Sequence, residues 1–250
     1  NNTILNSGTV AASNGTLASV GGIIDGQSGT IQVDAGATLN LAAATDASDT
    51  DSLIHRGSGL ALGANDILVR ADYQNDNSGI GNAYNARANI TGAGQILASP
   101  GVTQSLGGSV TGGGTATATM AFGNVHVGDT PTLNYQINNS GPGGPSLRGA
   151  IQTNVGGANL TDTRLTGPGV AASNFGPVAS GGNSGNLGVT FNATSAGPLN
   201  GQQVRIANNF DNVAEQTLQF TGTAYRYAAA AHTPEPVNFG IVHVGDVLSQ

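Results

Sequence analysis

The chain opens on a short repeated pattern: one glycine, then polar and apolar residues in close alternation. Gly8, Gly15, Gly22, Gly29 and Gly36 fall seven residues apart. Gly8-Thr9-Val10 becomes Gly15-Thr16-Leu17, then Gly22-Ile23-Ile24, then Gly29-Thr30-Ile31; Gly36-Ala37-Thr38-Leu39 closes the series with the apolar position slipped by one. Each unit supplies a glycine turn and a short strand with a large apolar residue. A helical heptad is a poor reading, because Gly and Thr depress helix formation. Three seven-residue sides predict a coil of about 20 residues in a parallel β-solenoid. A glycine-rich chain gives some equal spacings by chance, and the recurring Gly-Thr-apolar triplet argues against that.

After residue 41 the pattern loosens. Leu60-Ala61-Leu62 and residues 66 to 71 read as strands, and residues 90 to 97 as one more turn of the same kind. Residues 72 to 89 read as a long polar loop, and residues 107 to 115 as a joining segment. From Ala118 the period changes. Leu133, Tyr135 and Ile137 alternate with Asn134, Gln136 and Asn138, and the pattern returns at Val189/Phe191, Val204/Ile206 and Leu218/Phe220. Strict alternation predicts half-buried strands. Gly-Pro, Gly-Gly and Ser-Gly turns separate them, as in Gly167-Pro168-Gly169 and Ala196-Gly197-Pro198. Thr115-Ala116-Thr117-Ala118-Thr119 reads as an ordinary edge strand leading into this region.

One octapeptide occurs twice. Phe122-Gly123-Asn124-Val125-His126-Val127-Gly128-Asp129 returns as Phe239-Gly240-Ile241-Val242-His243-Val244-Gly245-Asp246, with seven of eight positions identical at an offset of 117 residues. That period is too long for a solenoid coil and suits a β-sandwich of about 100 residues. The expected architecture is all-β: a Gly/Thr-rich β-solenoid-like domain over 1–117, an Ig-like β-sandwich over 118–227, and a linker with the first strand of a second sandwich over 228–250. Phe122, Gly123, Val125, Val127 and Gly128, with Phe239, Gly240, Val242, Val244 and Gly245, form the structural repeat motif. His126 and His243 occupy equivalent positions in the two copies, which points to a structural role.

Composition narrows the function. Gly makes up 40 of 250 residues, without the three-residue period of collagen. Charged residues are 8%, against about 25% in ordinary domains. The seven basic residues are all arginine, and the formal net charge is −7. With no basic cluster, nucleic acid is not an expected partner. With no Cys there is no disulfide, thiolate metal site or cysteine nucleophile. No run of 18 apolar residues exists, so no membrane insertion is expected. The chain starts at Asn1 without a leader segment, and is read as an interior piece of a longer polypeptide.

The repeated residues carry a family likeness. Phe122-Gly123-x-Val125-x-Val127-Gly128, the strand Leu133-x-Tyr135-x-Ile137-x-Asn139-Ser140-Gly141, Val189-Thr190-Phe191 with Gly197, and Leu218-x-Phe220-x-Gly222-Thr223-Ala224 resemble bacterial choice-of-anchor D repeats, relatives of ASH-type sandwiches. Asn192-Ala193 departs from that pattern, which often places a Pro soon after the Phe. The N-terminal glycine repeats look like passenger regions of autotransporters and filamentous-haemagglutinin-type adhesins. Together the resemblances imply an extracellular or cell-surface bacterial protein: an adhesin, stalk or fibre. Its partners would be adjacent repeats of the same polypeptide or copies of itself.

Candidate chemistry is sparse. Asp46, Asp49 and Asp51 place three carboxylates within six residues and could hold Ca²⁺ through oxygen, although the EF-hand pattern is absent. An exposed acidic loop is the competing reading, with no cofactor at all. A glycosidase needs two positioned carboxylates; Asp25, Asp34, Asp66, Asp72 and Asp76, with Arg56, Arg70 and Arg87, show no spacing that selects a pair. Nucleophile-elbow, phosphate-loop and zinc motifs are missing. The expectation is therefore a non-enzymatic structural protein. A module binding surface glycans through residues 72 to 89 is the alternative, and a polysaccharide-degrading β-helix enzyme comes third.

Overall fold

The structure, a computed structural model, describes residues 3–13, 17–21, 23–25, 29–34, 37–41, 50–55, 59–75, 89–98, 100–154, 159–228 and 240–247. The described residues form strands and turns and contain no helix. The strands fall into an N-terminal parallel group and a C-terminal group that is mainly antiparallel.

The N-terminal strands are β1 (Thr3–Leu5), β2 (Thr9–Ala12), β3 (Leu17–Val20), β4 (Ile23–Asp25), β5 (Thr30–Val33), β6 (Thr38–Leu41), β7 (Thr50–His55), β8 (Gly59–Gly63), β9 (Ile67–Asn75), β10 (Ile90–Gly92) and β11 (Ile96–Ala98). Three parallel stacks result: β1-β4, β2-β5-β7-β9-β11 and β3-β6-β8-β10. Thr9 lies opposite Thr30, Leu17 opposite Thr38, and Leu39 opposite Leu60. Each step is 21 residues, three of the seven-residue units in the sequence. Alternation then decides the faces. In β5 Ile31 and Val33 are fully buried, while Thr30 and Gln32 are partly exposed. Val10, Ile31, Leu53 and Tyr73 lie opposite one another in successive strands, so apolar residues stack on apolar residues about 4.8 Å apart.

Where the chain turns a corner, the backbone of one layer rests on the next. A Cβ at Gly29 would overlap the Asn6 carbonyl, and one at Gly94 would overlap the Asn65 carbonyl. Gly8 has open space at the same position. The seven-residue glycine spacing therefore reflects a close approach at Gly29 and none at Gly8.

The C-terminal strands are β12 (Gln104–Gly108), β13 (Thr117–His126), β14 (Thr132–Asn139), β15 (Leu147–Gln152), β16 (Leu165–Thr166), β17 (Ser173–Val178), β18 (Leu187–Phe191), β19 (Gly197–Pro198), β20 (Gln202–Asn208) and β21 (Gln216–Tyr225). They make two sheets, β12-β14-β18-β16 and β13-β21-β20-β15-β17, with β19 pairing to β21. Tyr135, Ile137, Val189 and Phe191 of the first sheet, and Met120, Val204, Ile206, Leu218 and Phe220 of the second, are buried between them, giving a sandwich-like core. β12 pairs with β14 from Gln104 onward, so the sandwich-like part recruits residues ahead of Ala118. The buried side chains of both halves join one contiguous cluster.

Candidate functional site

Two arrangements stand out: the joint between the halves, and the pairing of the first and last strands of the C-terminal half.

The joint is built by the loop between β20 and β21. β11 is the last strand of its stack, so one edge of it faces away from β9. An open edge leaves backbone donors and acceptors unpaired. Here the loop pairs them. Ile96 N donates to Asp211 Oδ2 at 2.7 Å, and Asp211 N donates to Ile96 O at 2.9 Å. Ala98 N donates to Asn212 Oδ1 at 2.9 Å, while Asn212 Nδ2 donates to Ala98 O at 3.1 Å. The Asn212 amide thus stands in for a backbone peptide. Nearby, Asn209 Nδ2 donates to Tyr73 O at 3.1 Å, and the Phe210 ring lies 6.1 Å from the Tyr73 ring. Arg148 clasps Asp72 through Nε (2.9 Å) and Nη2 (3.0 Å), a bidentate pair across the joint.

The second arrangement uses the repeat motif. β13 and β21 are ten residues each and run parallel as neighbours, from Thr117 opposite Thr217 to His126 opposite Tyr225. The register shifts between Ala121 and Asn124, where Gly123 takes φ 67°. Phe122 meets the Phe191 ring edge-on at 5.5 Å, and the Arg164 guanidinium lies 5.2 Å over that ring. Arg164 also binds the Asp162 carboxylate and the carbonyls of Ser195, Gly197 and Pro198. The hydrogen bond from Arg164 holds the Asp162 carboxyl below the usual carboxylate range, against the opposing effect of burial. Val125 is buried, Val127 is partly buried, and Gly128 turns the chain at φ 109°.

The second copy keeps the local shape of the first. Gly240 and Gly245 take φ 68° and 100°, as Gly123 and Gly128 take 67° and 109°. Asp246 N donates to His243 O at 3.1 Å, as Asp129 N donates to His126 O at 3.0 Å. The first strand of a second sandwich, expected within 228–250, does not form among the described residues. Phe239 lies outside the described residues, and residues 240–247 form a turn with no strand. Val242 is 46% exposed where its counterpart Val125 is 7%, and Val244 is fully exposed. The physical reason is pairing: β13 has β21 beside it, and the described residues hold no such neighbour for the second copy.

The other candidates divide. Asp46 and Asp49 lie outside the described residues, as does the Asp51 side chain at the start of β7. Among the described residues no group of three His, Asp or Glu gathers as metal ligands would. Asp66 accepts from Gln95 N and Asp72 binds Arg148, so these carboxylates fasten backbone and joint. Residues 76 to 88 of the polar loop, with Asp76 and Arg87, lie outside the described residues, as does Arg56. The sequence pattern gave no notice of Asn209, Asp211 and Asn212; Asn208-Asn209-Phe210-Asp211-Asn212 between two alternating strands reads only as a turn. Comparison of the chain with protein-family models, with curated proteins and with solved structures finds no match.

Proposed function

We propose that the chain is a structural, non-catalytic section of a secreted, repetitive bacterial cell-surface protein, an adhesin, stalk or extracellular fibre. In this reading the parallel stacks are a β-solenoid, the C-terminal sheets are an Ig-like sandwich of the choice-of-anchor D kind, and residues 239–246 open the next sandwich. Neighbouring repeats of the same polypeptide are its partners.

One observation carries the proposal. After β12 the chain runs into the start of β13 and leaves the sandwich at the end of β21, and these two strands are parallel neighbours. Tension between the two ends acts along the strands in opposite directions. Their ladder bonds are then loaded together, in shear, instead of one after another. This geometry suits a module under tandem tension, and neither catalysis nor ligand binding calls for it. The joint serves the same end, since it ties the edge of β11 to the loop that precedes β21. The test is single-molecule pulling between cysteine handles at Gly114 and Tyr227, unique sites in a cysteine-free chain. The expected trace has one rupture releasing roughly 350 Å, the reach of the residues between the handles at about 3.4 Å each less the roughly 30 Å the handles already span when folded. Gradual lengthening in many small low-force steps would refute a load-bearing module.

A further inference from the structure

The joint shows how the sandwich docks on what precedes it, and its opposite end shows an uncovered counterpart of the same chemistry. β21 begins beside the joint loop and runs about 30 Å to its other end. There Tyr225 is 51% and Tyr227 82% exposed, with Arg226 exposed between them. His126 lies opposite Tyr225 in the register, so their side chains share the outer face. The His126 and Tyr227 ring centroids lie 3.5 Å apart with the planes tilted by 38°, and His126 Nε2 is buried with no hydrogen-bond partner among the described residues. Beside this patch a cavity of about 380 Å³ is lined by Phe122, Asn124, Val125, Asp129 and Pro131. Apart from these tyrosines, the exposed large apolar side chains of the described residues belong to β1 and to residues 241–247.

We infer that this aromatic end is the docking face for the joint loop of a second sandwich of the same kind. Three observations select that partner. The opening motif of such a sandwich recurs twelve residues after Tyr227, with the backbone turns of the first copy. The joint already shows the contact in use: a loop phenylalanine, Phe210, packs on a tyrosine of the preceding unit, Tyr73, while the neighbouring Asn209 holds that tyrosine's carbonyl. The far end presents two exposed tyrosines, Tyr225 and Tyr227, on which a loop phenylalanine of the next unit can pack in the same way. The position equivalent to Thr117, where β13 begins, is Pro234, so the six residues from 228 to 233 span up to about 20 Å to bring the next loop onto the patch. The tandem is then a jointed rod with aromatic contacts at each junction, rather than beads on a slack string.

This inference rests on the tandem-sandwich reading above. The test extends the full chain at Gln250 with a copy of residues 134–228, so that residues 239–250 take the place of 122–133. Thr194→Cys and its equivalent in the added copy carry spin labels, and the distance distribution between them is measured. The expected result is one narrow distribution, broadened at least twofold by Tyr225→Ser with Tyr227→Ser. Hydrogen exchange of the added copy is read in parallel. An added copy without protected amides overturns the tandem reading and this inference with it. A protected copy with a broad distribution in both chains overturns the inference alone. Tyrosine fluorescence quenched by an oligosaccharide panel, with the distribution still broad, would assign the patch to glycans and overturn it as well.

Discussion

Asn212→Ala tests whether the loop before β21 truly closes the edge of β11. The substitution removes two hydrogen bonds, one to each backbone group of Ala98, and leaves the Asp211 pair on Ile96 in place. A hydrogen bond of this kind contributes about 0.5–1.5 kcal/mol net. Ala98 itself is buried, but Asn212 is exposed, so water enters the vacated place and limits the loss. The expected cost is therefore about 1.5 kcal/mol for the pair, close to tenfold in the local opening equilibrium. The assay is native-state hydrogen exchange read residue by residue. The Ala98 amide should exchange about tenfold faster, Ile96 should change less, and Tyr135 in the sandwich core should not change. Adding Asp211→Ala should free Ile96 too, and the doubly substituted chain should lose more than the two single effects together, because either side chain alone holds the loop in place. Unchanged exchange at Ala98 would refute edge capping. Equal acceleration throughout the chain would show that the joint is no separate element.

Arg148→Ala should lower stability by about 1 kcal/mol, since its pair with Asp72 is partly exposed and leaves a carboxylate that water can reach; chemical unfolding reads this, and no change would mean the pair is incidental. Gly29→Ala should cost about 1–3 kcal/mol by forcing apart two layers, while Gly8→Ala should be neutral; similar thermal midpoints for both would contradict the stacking. Asp162 has its folded pKa depressed by Arg164, so it contributes stability above its unfolded pKa near 3.9 that is lost as pH falls below it. Asp162→Asn should flatten that acid limb in a pH series of unfolding midpoints, and an unchanged limb would exclude the pair as its cause. Tyr135 donates to the Gly169 carbonyl at 2.8 Å, and burial pushes its pKa far above the usual value. Tyr135→Phe should cost about 1–2 kcal/mol, and stability in the native chain should fall as pH rises past about 10, where unfolded tyrosine ionises. Phenolate absorbance from Tyr135 before unfolding would contradict its burial.

The periodic parts of the fold were legible in the sequence because the pattern itself positions them. The seven-residue units became the 21-residue steps from Thr9 to Thr30 and from Leu17 to Thr38. The alternating runs at Leu133, Val189, Val204 and Leu218 became β14, β18, β20 and β21. β12 was not legible: its last two residues, Gly107-Gly108, read as the start of the joining segment over 107–115, and only pairing with β14 makes Gln104–Gly108 a strand. The joint was hidden for a different reason. Asp211 and Asn212 act through single polar side chains on backbone more than 110 residues away, and neither period nor composition records such a contact. Scarce charge is legible in retrospect: Arg148, Arg164 and Arg205 each hold a carboxylate at a structural position. The second octapeptide marks the limit of a motif. It specifies the glycine turns locally, while a strand also needs the neighbour that β21 supplies to β13.

The most direct test of the account is to pull the sandwich in two directions and compare rupture forces. Handles at Gly114 and Tyr227 load β13 and β21 in shear, whereas handles at Gly114 and Ala214 sit at the same end of both strands and peel them apart. The account predicts a clearly higher force for the first pair than for the second. Equal forces in the two directions would contradict it.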